Sequence, residues 1–102
     1  MNKLVIDTTD NKKTTVELHI ASKLDKISEN SIPKSQSTLI IIDKLLKRND
    51  LKPTEIEEIE VNTGPGSFTG TRVGVAIANA LGIGLNAKVN GSKNKNATPK
   101  YF

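Results

Sequence analysis

Residues 62–76 read NTGPGSFTGTRVGVA and carry the strongest structural signal in this 102-residue chain. The segment before them, residues 56–62, reads as a strand that enters a glycine-rich turn. A helix is predicted to follow from about residue 69 to residue 85, with Ser67 or Thr69 as its N-cap. A strand that leads through a glycine turn into a helix is typical of α/β proteins.

The glycine spacing argues against two familiar nucleotide sites. Glycines stand at 64, 66 and 70, so the interval between the second and third is one residue longer than in the dinucleotide-binding pattern Gly-x-Gly-x-x-Gly. A Walker A loop needs Gly-Lys-Ser/Thr, and no lysine lies between Lys52 and Lys88. Two interpretations stay open: the turn permits close packing only, or its N–H groups and Arg72 hold an anion. The candidate anion-binding residues are Gly64, Pro65, Gly66, Ser67, Phe68, Thr69, Gly70 and Arg72.

Small residues recur at every fourth position of the predicted helix. They are Gly70, Gly74, Ala78 and Gly82, and they form one ridge that is almost free of side chains. A glycine inside a helix costs about 1 kcal/mol relative to alanine. We therefore expect another backbone to approach this ridge closely, either the first helix of this chain or a helix of another protein.

The N-terminal half is predicted to form three strands. Residues 3–8 form a short buried strand that ends at Asp7, and residues 14–20 alternate apolar and polar side chains, as a half-buried antiparallel strand does. A weaker strand is expected at 24–27. With a short strand at 87–89, the order is β-β-β-α-β-α, an α/β lobe with a mixed sheet.

The first helix is expected to begin at Ser35 or Ser37 and to run to about residue 49. Its apolar residues Leu39, Ile41, Ile42, Leu45 and Leu46 cover an arc of about 160° at 100° per residue. Ile40 lies outside this arc, which suggests a second buried contact.

The net charge of +4 belongs to the C-terminal end of the chain. Residues 88–102 contain four of the 15 basic residues and no acidic residue, so the remaining 11 basic residues balance the 11 acidic ones. The chain up to residue 87 is therefore neutral, and we predict a lobe over residues 1–90 and a basic, disordered tail over 91–102. Aromatic residues make up 3% of the chain, too few for the stacking platforms of single-stranded nucleic-acid binders.

Several function classes are excluded by composition. The chain has no cysteine, which excludes disulfides and thiol chemistry. His19 is the single histidine, and one imidazole does not make a metal site. Ser67 and Ser92 have no adjacent base that could activate them as nucleophiles, so no catalytic residue is expected. The apolar run at the N-terminus is too short for a signal peptide. No stretch of the sequence approaches the roughly 18 consecutive apolar residues of a membrane span. We therefore expect a cytoplasmic protein without a membrane span.

Three parts of the sequence carry a family resemblance. Residues 6–9 read IDTT, a leucine-rich helix ends in the residues DKLL at 43–46, and residues 64–74 contain the long block Gly-Pro-Gly-Ser-Phe-Thr-Gly-x-Arg-x-Gly. Over about residues 3–90 the chain resembles the TsaB (YeaZ) family of the actin, Hsp70 and sugar-kinase superfamily. The resemblance implies a single actin-like (ribonuclease H-like) lobe, with the second lobe of that family absent from this sequence.

The resemblance also implies a function. TsaB proteins are non-catalytic partners of TsaD in forming threonylcarbamoyladenosine in tRNA, they pair through their N-terminal helices, and an ATPase, TsaE, joins them. ATP and metal are then expected on the partner proteins, tRNA is contacted indirectly, and a homodimer through the same surface is an alternative. Carried over to this chain, the candidate partner interface consists of Ile40, Gly70, Gly74, Ala78 and Gly82.

Asp7 occupies the position at which kinases of this superfamily orient a metal–nucleotide phosphate. It lacks the glycines usual in that loop, so no ATP site is expected in this chain. Two alternatives to the partner role remain: a stand-alone anion- or nucleotide-binding module using residues 64–72, or a self-dimerising relic of the family.

Overall fold

The computed structural model describes residues 2–30 and 34–91. The elements in chain order are β1 (Asn2–Asp7), β2 (Thr14–Ile20), β3 (Lys23–Glu29), α1 (Lys34–Arg48), β4 (Glu58–Val61), α2 (Phe68–Leu85) and β5 (Lys88–Val89), with one turn of 3-10 helix at Pro53–Glu55. The predicted α/β order is confirmed, including the short last strand. The predicted basic tail, apart from Gly91, lies outside the described residues.

The five strands form one mixed sheet in the order β3-β2-β1-β4-β5. β2 pairs antiparallel with both β1 and β3, whereas β4 pairs parallel with β1 and β5. β1 is the central strand, with Leu4 opposite Leu18 on one side and Ile59 on the other. Because β1 and β4 are parallel, their carboxyl ends lie at the same edge of the sheet.

Both helices cover one face of this sheet and share one core. α1 packs over β2 and β3, and α2 packs over β1, β4 and β5. The core is aliphatic, as its composition predicts, and its largest fully buried side chains include Leu4, Ile6, Leu18, Ile41, Leu45, Ile56 and Ile59. The opposite face carries polar contacts, such as the ion pair of Lys3 with Glu60 at 3.2 Å and the hydrogen bond between His19 and Glu17 at 2.9 Å. The lobe is therefore a two-layer structure.

The start of α1 differs from the prediction in two respects. The helix already begins at Lys34, so neither Ser35 nor Ser37 is its N-cap. Leu39, predicted to be buried, is 51% exposed, because Ser37 and Thr38 occupy the buried face of that turn. Ile40 is 53% exposed and makes no second buried contact within the described lobe.

β3 is longer than predicted, and a polar cluster ties it to the end of α1. Arg48 donates two hydrogen bonds to the Asp25 carboxylate, at 2.9 and 2.7 Å, and Asn49 Nδ2 donates a third at 2.8 Å. These bonds, that of Arg48 first, lower the pKa of Asp25 from its ordinary 3.8 to about 2. The cluster closes the edge of the core between strand and helix.

We expect Asp25→Asn to lower the free energy of unfolding at neutral pH, because a neutral amide cannot replace the carboxylate beside Arg48. Since the folded pKa of Asp25 is depressed, its stabilising effect is full above about pH 4 and is lost as the pH falls toward 2. Urea denaturation of both proteins at several pH values measures the difference. A difference that does not shrink over this range would contradict the assignment.

The small-residue ridge of α2 packs against the end of β1. Gly70, Gly74, Ala78 and Gly82 are all buried in the lobe. Thr8 Oγ1 donates a hydrogen bond of 2.5 Å to the Gly70 carbonyl, and a Cβ at Gly74 would overlap that same hydroxyl. At Gly74 the predicted close approach is made by Thr8, the residue after β1, so the prediction that a helix makes it is wrong.

α2 also meets the length and composition of a membrane span. Its 18 residues have a mean hydropathy of 1.2, which corrects the expectation that no segment is long and apolar enough. A third of the helix is buried inside the lobe, and it packs on the sheet as a core helix does.

Two glycine-to-alanine substitutions in α2 should change stability in opposite directions. Gly74→Ala should lower the free energy of unfolding by about 1–3 kcal/mol, because the new methyl displaces the Thr8 hydroxyl. Gly84→Ala, where a Cβ meets no heavy atom within 4 Å, should raise it by about 0.5–1 kcal/mol through helix propensity. Chemical denaturation of the two variants measures both changes, and equal effects would contradict the packing described.

Candidate functional site

The glycine turn between β4 and α2 packs against the residues that follow β1. Gly64 has a φ of 102°, and the Gly64–Pro65 peptide bond is cis. Ser67 N donates a 2.7 Å hydrogen bond to the Thr9 carbonyl. A Cβ on Gly66 would lie 2.6 Å from Thr9 Cβ, so this position has no room for a side chain. Gly64 and Gly66 are therefore needed for the conformation of the loop and for its packing against Thr9.

Asp7 is held by its own neighbours at the carboxyl edge of the sheet. Asp7 Oδ1 accepts hydrogen bonds from Thr9 N at 3.0 Å and from Thr9 Oγ1 at 2.7 Å. Asp7 Oδ2 accepts a third from Asn62 Nδ2 at 3.2 Å, and Asn62 Oδ1 accepts from Gly64 N at 3.0 Å. The carboxylate thus links the ends of β1 and β4 to the glycine turn.

Ser67 caps α2, as the sequence predicts. Its Oγ accepts a 3.2 Å hydrogen bond from Gly70 N, which satisfies one free donor of the first turn. Thr69 is the other cap candidate, and it lies in the first turn of the helix, where it is exposed.

The exposed residues of the first turns of α2 form a shallow groove. The Arg72 guanidinium lies 5.1 Å from the centre of the Phe68 ring, within cation–π range. A depression of about 350 Å³ beside it is lined, among the described residues, by Thr69, Arg72, Val73 and Ala76. Phe68 is 57% exposed, although it is a large aromatic residue.

The interface predicted from the glycine ridge is corrected by this packing. Gly70, Gly74, Ala78 and Gly82 face the sheet of their own lobe, so they offer no surface to another chain. The opposite side of α2 has a second series of mostly small residues at the same spacing, Arg72, Ala76, Ala80 and Gly84, and it is exposed. Both series of small residues are visible in the sequence, but only the tertiary structure shows which one packs against the sheet and which one is exposed.

Ile40 remains on an exposed surface, and other apolar residues join it. We call the outer helix surface the exposed side of α1 and α2, which contact each other. Its large apolar side chains are Leu39 (51% exposed), Ile40 (53%), Phe68 (57%) and Ile83 (73%). Sequence reasoning had placed Leu39 in the core and had assigned no role to Ile83.

Only some of the residues predicted to bind an anion lie close together in the structure. Ser67, Phe68, Thr69 and Arg72 lie together at the start of α2, whereas Gly64 and Gly66 serve the turn against β1. Within residues 2–30 and 34–91, no group of three side chains is arranged to hold a metal ion. Binding of an anion here stays a prediction.

We expect Asp7→Ala to lower the free energy of unfolding by about 1–3 kcal/mol, because it leaves two part-buried donors of Thr9 and one exposed donor of Asn62 without their acceptor. Asp10→Ala is the matched control: Asp10 accepts from two backbone N–H groups in an exposed turn and should cost less. Thermal and urea denaturation measure both. Equal losses would mean that the link between β1, β4 and the turn has no special weight.

The sequence of this chain is similar to that of known proteins. Residues 28–93 match the family model of TsaD, described as tRNA N6-adenosine threonylcarbamoyltransferase. The chain is 42% identical over 48 residues to the tRNA threonylcarbamoyladenosine biosynthesis protein TsaB of Buchnera aphidicola subsp. Baizongia pistaciae, a match that covers 47% of this chain and 22% of that protein. It is 39% identical over 51 residues to the protein of the same name from Haemophilus influenzae, covering 50% and 22%.

The fold is also found among solved structures. YeaZ from Pseudomonas aeruginosa superposes with a TM-score of 0.81 at 24% identity, over 86% of this chain and 41% of that chain. The predicted single α/β lobe of that fold is therefore confirmed. The chain spans about a fifth of the length of the curated relatives it matches.

Proposed function

The chain belongs to the TsaD family, within which its relatives are TsaB (YeaZ) proteins, and on this premise we propose that it is a non-catalytic docking partner of a TsaD-like enzyme. In this role it supports the formation of threonylcarbamoyladenosine in tRNA and carries no catalytic residue of its own. ATP and metal belong to the partner proteins, which include a TsaE-like ATPase, and tRNA is contacted indirectly. The complex works in the cytoplasm.

The observation that carries this proposal is the outer helix surface. Four large apolar side chains on two adjacent helices are more than half exposed, and small residues between them leave the helix backbone accessible. Exposed apolar side chains that share one side of a lobe favour association with another protein. Among the described residues, Leu24 is the one other large apolar side chain with such exposure, and it stands on the opposite face of the sheet.

The alternative of a nucleotide-binding module has less support. The Asp7 carboxylate, which would orient a bound metal–nucleotide, already accepts hydrogen bonds from Thr9 and Asn62 on both oxygens. Calorimetry of this chain with ATP or ADP separates the two functions. We expect no measurable heat of binding in the absence of a partner, whereas clear binding would favour the module.

We expect Ile83→Asp to abolish binding to the TsaD-like protein of the same source, because the carboxylate must be desolvated within an apolar contact. Ile83 is 73% exposed, so the lobe itself should remain folded. Leu24→Asp is the matched control: this residue is 57% exposed on the other face, and binding should be unchanged. Gel filtration with light scattering measures the mixed species, and circular dichroism checks the fold.

The docking proposal fails if the wild-type chain and the TsaD-like protein elute separately at every concentration tested. If the chain forms only homodimers, and Ile83→Asp disrupts them, the same surface serves a self-associating relic of the family.

A further inference from the structure

α2 carries a single charge, and that charge lies in the middle of the exposed side of the helix. Arg72 is the only ionisable residue among the 18 residues of α2. At about 100° per residue, Ala76 and Ile83 fall within about 40° of Arg72 around the helix axis. The cation therefore lies on the same exposed side of the helix as Ala76 and Ile83, and next to Phe68.

Arg72 has an aromatic neighbour but no anionic one in the described part of the chain. The ion pairs found there use Lys3, Lys44, Lys47 and Arg48, and Glu17 contacts His19. Arg72 instead lies over the Phe68 ring, which supports one face of the guanidinium. Its N–H edge stays available, and a planar guanidinium stacked in this way can bind a carboxylate through two parallel hydrogen bonds.

We propose that Arg72 receives an aspartate or glutamate side chain from the docking partner, seated in the groove formed with Thr69, Val73 and Ala76. This inference rests on the proposed docking function and names the chemistry of the partner's contact. This shallow depression is open to solvent, so a side chain of the partner can reach the guanidinium. The partner accordingly presents one acidic residue within an otherwise apolar helix face.

The same charges disfavour a second copy of this chain as the occupant. In a twofold dimer the same surface of each copy faces the other, so Arg72 would face a helix surface that offers no unpaired carboxylate. α2 contains no acidic residue, and Asp43, the single acid of α1, already pairs with Lys47 at 3.1 Å. Lys44, Lys47 and Arg48 make α1 net positive as well. Electrostatic complementarity therefore selects a different protein over a self-dimer.

The test compares charge reversal at Arg72 with charge reversal elsewhere. Arg72→Glu should weaken binding to the TsaD-like protein by about 100-fold, because a buried ion pair becomes a like-charge contact. Lys88→Glu, on the edge strand β5, is an exposed control that should change binding less than about twofold. Titration calorimetry gives both dissociation constants, and thermal unfolding confirms that both variants fold. Replacing the partner's contacting acid by lysine should restore binding to Arg72→Glu.

The outcomes separate this inference from the docking proposal. If Ile83→Asp abolishes binding while Arg72→Glu binds as the wild type does, the carboxylate contact is wrong and docking stands. If neither variant affects binding, both are wrong. If Arg72→Glu leaves the mixed complex intact but breaks a homodimer, the occupant is a second copy and the charge argument is overturned.

Discussion

The contact between Thr8 and α2 is the constraint on which the rest of this lobe depends. The Thr8 hydroxyl bonds to the Gly70 carbonyl and leaves no space for a side chain at Gly74. Because α2 lies this close to β1, the glycine turn before it must fold back onto Thr9, and Asp7 can link the ends of two parallel strands. The position of the helix, the loop and the carboxyl edge of the sheet all follow from this short distance.

The same constraint divides α2 into two different sides. Glycine and alanine on the inner side allow the sheet to approach, and their small size cannot serve a partner at the same time. The outer side carries mostly small residues together with Phe68, Ile83 and one arginine, so any protein that docks there meets an accessible helix backbone and a single cation. In the proposed complex, binding specificity would depend on Arg72 more than on the apolar residues, since apolar contacts are not directional.

Most of the fold could be predicted from local patterns, whereas the site could not. Alternation over residues 14–20 and the strand, turn and helix around residue 64 depend on nearby residues only, and they identified nearly every element. The ridge of Gly74 and that of Ala76 are alike in sequence, and only tertiary contact with Thr8 tells them apart. Leu39 was misplaced for a similar reason, because helical angle alone ignores how far the neighbouring layer extends over the first turns of α1.

The central place of β1 has a consequence for how the chain is made. β1 can pair with β2 once both have been synthesised, but its other edge pairs with β4, which comes about 40 residues later in the chain, with Lys3 opposite Glu58. During synthesis on the ribosome the N-terminal strands therefore emerge with one open hydrogen-bonding edge and an uncovered apolar face, the features that favour aggregation. Rapid translation through β4 and α2, or a chaperone that holds this intermediate, shortens the time for which it is exposed.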